Sequence, residues 1–119
     1  MATIRFAVIA QREGEKGYQV EHLYQHRADA EKCALAYRNQ LQQTALVVEL
    51  EPALAVARRA DAWAVANWDL RQLRLHVSRD QAEASLKPGT SLIETPIRRG
   101  MPVQSGVPQF APDPSAVGP

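Results

Sequence analysis

The chain reads as an α+β protein built from a duplicated β-β-α-β unit, giving one mostly antiparallel six-stranded sheet with two helices on one face. Three correspondences predict it. Phe6-Ala7-Val8 answers to Trp63-Ala64-Val65, a long segment from Leu23 to Glu31 answers to Leu75 to Glu83, and Thr44 to Val47 answers to Thr90 to Ile93. The offsets are 57, 52 and 46, so the second copy is shortened in its turn and again in its helix. A repeat of this period bounds the architecture before single residues are weighed.

Each element has a local reason. Thr3 to Gln11 alternates Ile4, Phe6 and Val8 with Arg5 and Ala7, the period of a half-buried strand. Arg12 to Gly17 is polar, carries two glycines and suits a hairpin loop. Tyr18 to Gln25 is the return strand. Arg27 to Gln42 is a helix, because Ala30, Cys33, Ala34, Tyr37 and Leu41 recur at spacings of three and four. Thr44 to Glu51 is a strand that Pro52 should end, since proline has no N–H for a ladder.

The second half repeats the pattern with weaker signals. Residues 53–75 hold no Gly or Pro, so a helix through Trp68 competes with a linker over 53–60 followed by a strand over 61–68. The repeat favours the strand. Leu73, Leu75 and Val77 alternate with Arg74 and His76. Ser78-Arg79-Asp80-Gln81 matches a capping box. Lys87-Pro88-Gly89 stops that helix early, and Thr90 to Ile97 is a last strand that Pro96 assigns to an edge. Residues 1–97 then form one domain, with repeat halves 3–52 and 61–97. Residues 98–119 hold five prolines and three glycines, which predicts an extended tail.

Composition excludes several function classes. The net charge is +1, with no concentrated basic excess, and no apolar run approaches the roughly 20 residues that span a bilayer. The single cysteine, Cys33, rules out an internal disulfide, and no leader segment is visible, which together predict a cytoplasmic protein. No phosphate loop, metal set or catalytic triad spacing occurs, so neither cofactor nor metal is expected. Glu49 and Glu51 share a strand face, but a solvated face explains them. Cys33 lies on the apolar stripe of the first helix, where a thiol acts as a small hydrophobe.

The functional expectation is a non-catalytic protein–protein interaction module that binds through an open sheet face, a sheet edge or the tail: an adaptor, an assembly subunit or a small inhibitor of a larger complex. One-sided helix coverage predicts an open apolar sheet face bearing Ile9, Val47 and Ile93 or, according to register, their neighbours. The candidate interface residues are Trp63, Trp68, Val107 and Phe110, with Arg98 and Arg99. The partner is a second copy or a larger protein; no membrane is involved. Two alternatives stand beside this: a nucleic-acid-binding regulator using second-half arginines such as Arg58, Arg59, Arg71, Arg74 and Arg79, and a small enzyme in which His22, His26 and Cys33 converge.

Overall fold

A computed structural model describes residues 3–11, 14, 16–55 and 60–107. Its elements in chain order are β1 (Thr3–Gln11), β2 (Gln19–Tyr24), α1 (Arg27–Gln40), β3 (Thr44–Ala55), β4 (Trp63–Asn67), β5 (Gln72–His76), α2 (Arg79–Ala84), β6 (Thr90–Leu92) and β7 (Val103–Gln104). The strands form one sheet in the order β6-β4-β5-β3-β1-β2-β7.

The sheet differs from the expected one in three ways. It has seven strands rather than six, because the tail contributes β7. It is mixed rather than mostly antiparallel, because β3 pairs with β5 in parallel and β2 pairs with β7 in parallel. Its uncovered face is not open. These corrections share one cause: long-range contacts between halves leave no local trace in the chain.

Each half runs β-β-α-β. In the first, β1 is central between β2 and β3, and α1 makes the crossover that the two parallel flanking strands require. In the second, β4 is central between β5 and β6, with α2 as the crossover. The hairpin registers coincide. Phe6, Ala7 and Val8 face Tyr24, Leu23 and His22, while Trp63, Ala64 and Val65 face His76, Leu75 and Arg74. The third strands correspond at an offset of 45, not 46: Val8 faces Val47, and Val65 faces Leu92. Thr90 therefore answers to Ala45.

The same contacts recur at matching positions. Arg27 opens α1 with its guanidinium 5.0 Å from the Phe6 ring centre and 3.8 Å from Glu49. Arg79 opens α2 with its guanidinium 5.7 Å from the Trp63 ring centre and 3.4 Å from Glu94. One arginine at the first helical position thus ties the helix and first strand in both halves to an acidic residue, Glu49 within β3 in the first and Glu94 just past β6 in the second.

Side chains alternate between two faces. On the outer face, Val8, Ala10, Tyr24, Ala45 and Val47 pack against Ala30, Cys33, Ala34 and Tyr37 of α1. On the inner face, Ile4, Ala7, Ile9, Leu23 and Val48 join Ala64, Ala66, Leu73, Ile93 and Ile97 in a single core. Ile9 and Ile93, expected on an exposed face, are 0 % and 1 % exposed. Val47 is buried too, but under α1. The sheet curls until the inner faces of the two halves cover one another.

Two further boundaries moved. β3 continues past Pro52 to Ala55, because the chain bulges there: Phe6 faces Glu49, and Ile4 already faces Leu54. Leu50, Glu51 and Pro52 fall within that bulge, so a proline N–H is not missed on the β1 side, and Glu49 to Glu51 pair with β5 on the other side. The last strand of the second half, β6, ends at Leu92 rather than Ile97, which keeps only an isolated bridge to Ala62, while residues 60–75 hold the strands that the repeat favoured and not a helix. The Ser78 hydroxyl accepts from the Gln81 N–H at 3.2 Å, as the capping box requires.

Because both halves share the inner core, they should unfold together. Leu73→Ala should cost about 2–5 kcal/mol of stability. Urea denaturation should show one transition for fluorescence and circular dichroism alike. Separate transitions for the two probes would contradict a shared core.

Candidate interface at the sheet seam

Curling brings the two ends of the sheet close. β2 and β6 run in the same direction, since each is antiparallel to its central strand and the central strands are themselves linked through the parallel β3–β5 joint. No ladder joins β6 to β2 among the described residues. Between them lies a cleft of about 540 Å³ lined by Lys16, Gly17 and Tyr18 on one side and by Trp68 and Ser91 to Glu94 on the other.

Aromatic packing closes one end of this seam. The Tyr18 and Trp68 rings lie 5.0 Å apart at an interplanar angle of 48°. The Trp68 indole N–H donates to the Ser91 hydroxyl at 3.1 Å, which fixes the ring over β6. The chain itself closes the other end. Ile97 pairs with Ala62, Gly100 turns the chain at a φ of +79°, and Val103 and Gln104 then pair with Leu23 and Tyr24. Met101 and Val103 pack on the inner core, and the Tyr24 hydroxyl donates to the Gly106 carbonyl at 2.9 Å. Residues 98–107 are therefore held as a strap across the foot of the seam.

The sequence-selected residues divide accordingly. Trp68 lines the seam. Trp63 lies on the opposite side of the sheet, half-buried under Arg79. Val107 is 40 % exposed just past the strap, and Arg98 and Arg99 are exposed at its turn, where the Arg99 N–H donates to Asp61 at 2.8 Å. Phe110, Arg58 and Arg59 lie outside the described residues. Tyr18, Ser91 and Glu94 were not selected from sequence. Only the alignment of the two sheet edges reveals them.

The residues of the enzyme alternative are engaged separately. His22 Nε2 lies 2.8 Å from the Tyr37 hydroxyl under α1. Cys33 is buried beside Tyr24, and burial pushes its thiol pKa up. Burial also raises the Tyr24 phenol, with Cys33 as a hydrogen-bond partner. His26 is the exposed residue before α1, and its side chain makes no cap bond. Of the second-half arginines, Arg79 is engaged by Glu83 and Glu94. Among the described residues no three His, Cys, Asp or Glu side chains gather as a metal set, and no helix is long and apolar enough to cross a membrane.

Comparison of the chain with protein-family models, curated proteins and solved structures finds no match.

Burial holds the His22 imidazole below its ordinary value of 6.5. The folded state then resists a proton that the unfolded state accepts, so stability should fall as pH drops through 6.5. Urea midpoints measured across this range should decline, and His22→Gln should flatten the decline. An equal slope in the variant would assign the acid sensitivity elsewhere.

Proposed function

We propose that this protein is a non-catalytic interaction module that takes an extended segment of a partner protein into the seam between β6 and the start of β2. One observation carries the reading: two strand edges of the same direction face each other across a cleft without pairing to each other. Unpaired edges accept added strands, with main-chain hydrogen bonds giving affinity and side-chain pockets giving specificity.

The chain contains its own template for the complex. β3 lies beside β5 in parallel, joining the third strand of one half to the second strand of the other. A partner strand in the seam would complete the equivalent joint on the other side. The half-buried Trp68 and Tyr18 offer it an aromatic anchor, and Lys16 and Glu94 offer charges of both signs. The strap limits the slot to its upper part. The partner is thus a flexible or edge-exposing segment rather than a flat surface. A cytoplasmic location fits this reading, because the lone buried thiol of Cys33 needs no oxidising compartment.

Selection of random displayed peptides on the full chain should yield extended binders that perturb the amides of residues 16–18 and 91–94. In a Trp63→Phe background, Trp68 fluorescence should respond to them. Trp68→Ala should weaken them at least about tenfold, the effect of removing an aromatic anchor. Binders indifferent to Trp68→Ala, or perturbations confined to another face, would refute the assignment. Light scattering separates the remaining outcome, in which a second copy fills the slot and mass rises with concentration.

A further inference from the structure

The two halves share a layout but not a filling, and the difference leaves a second cavity on the outer face. In the first half, α1 has 14 residues, and its Cys33 and Tyr37 close over Val8, Ala10, Tyr24 and Ala45. In the second half, α2 has six residues. The repeat offset of 52 carries Cys33 to Ser85 and Tyr37 to Gly89, where the chain has already left the helix at a φ of +84°. The side chain that seals the first site has no counterpart in the second.

The residues beneath have changed to match. Val8 answers to Val65, but Ala10 answers to Asn67, His22 to Arg74, Tyr24 to His76 and Ala45 to Thr90. One contact survives in altered form: burial places Cys33 beside Tyr24 in the first half, and Ser85 Oγ lies 3.1 Å from His76 Nε2 in the second. The result is a polar pocket of about 300 Å³, with Lys87 added at its rim. That volume is at the small end of the range for ligand sites, roughly 300–1,000 Å³.

Its chemistry is one-sided. Among the described residues no carboxylate lines the pocket. Glu51 lies opposite Arg74 in the β3–β5 register but is exposed and outside the lining. Ser85 already donates to the Ala82 carbonyl and Thr90 to the Lys87 carbonyl. The Asn67 carboxamide oxygen accepts from the Leu70 N–H, which leaves its amide group to donate. The Arg74 guanidinium, the Lys87 ammonium and the Asn67 amide thus present donors, and none of the three has a hydrogen-bond or ion-pair partner among the described residues. A guanidinium fork beside an ammonium suits an oxyanion with several acceptor atoms.

We propose that the pocket under α2 binds a small phosphorylated molecule, with Arg74, Lys87 and Asn67 donating to the phosphate and Val65, His76 and Ser85 facing the remainder. The site lies on the opposite face of the sheet from the seam cleft, and it stands or falls independently of the partner-binding reading. It also accounts for the loss of helix length. A longer α2 would refill the cavity as α1 does.

The test is a titration of the isotope-labelled full chain, followed by amide shifts. Ribose 5-phosphate should produce saturable shifts at Asn67, Arg74, Lys87 and Thr90, with a dissociation constant on the order of 1 mM, and ribose should not. The double variant Arg74→Gln, Lys87→Gln should weaken binding at least about tenfold while keeping the dispersed spectrum of the folded chain, because both side chains are exposed and lie outside the cores. Saturable shifts that survive the double variant, or no saturable shift at all, would overturn the site. Inorganic phosphate binding as tightly as the ester would overturn the role given to the rest of the cavity.

Discussion

The two halves of this protein share a single inner core. Ala64 and Ala66 of β4 present only methyl groups to the interior, and Leu73 is the one large fully buried side chain from β5. They become a core because Ile4, Ile9, Leu23 and Val48 of the first half lie across from them. Apolar area removed from water is the main favourable term in folding, at roughly 25 cal/mol per Å². Here that removal requires the sheet to curl. The parallel β3–β5 joint holds the halves side by side, and the inner core bends them face to face. The proximity of β2 and β6, the cleft between them and the crossing strap all follow from that bend.

The outer face obeys a different constraint. There each helix covers only its own half, so the two sites were free to diverge. The first-position arginines, Arg27 and Arg79, keep the same aromatic and acidic partners in both halves. They sit at the helix start, which both copies retain. Divergence is concentrated at the helix end, where α2 lacks the last turns. The two halves, alike in layout, thus serve as controls for each other. The first site is filled by Cys33 and Tyr37, and the second is left as a polar cavity.

The repeat was readable because hairpin register depends on near neighbours. Phe6-Ala7-Val8 and Trp63-Ala64-Val65 keep their pairing partners at a constant offset, and no distant contact disturbs it. The third strand was misplaced by one residue, because Thr44 to Val47 and Thr90 to Ile93 are similar in letters, while register is set by which face is buried: Val48 and Ile93 both point inward. The curl was not readable at all. An alternating strand looks the same whether its apolar side meets a helix, solvent or another part of the same sheet. The strap was missed for a composition reason. Two residues of strand amid prolines carry no periodicity, yet Val103 and Tyr24 anchor it through contacts some eighty residues apart in sequence.

The seam stays unpaired for a reason visible in the second copy. By the structural offset of 45, Glu49, Leu50 and Glu51 of the first half answer to Glu94, Thr95 and Pro96. The former pair with Gln72, Leu73 and Arg74, whose counterparts across the seam begin at β2. A matching joint would set Pro96 against β2, and proline has no N–H to offer. On the other side, the β1–β2 register slips between Val8 and Ile9, so that Glu21 is the extra residue of a bulge. A missing donor on one edge and a displaced residue on the other both oppose closure. The core meanwhile prevents the edges from drifting apart. A sheet bent far enough to close, yet denied its last ladder, retains a gap with backbone groups on both sides. Strand addition needs those same conditions, so the features that frustrate the chain's own pairing leave room for a strand from elsewhere.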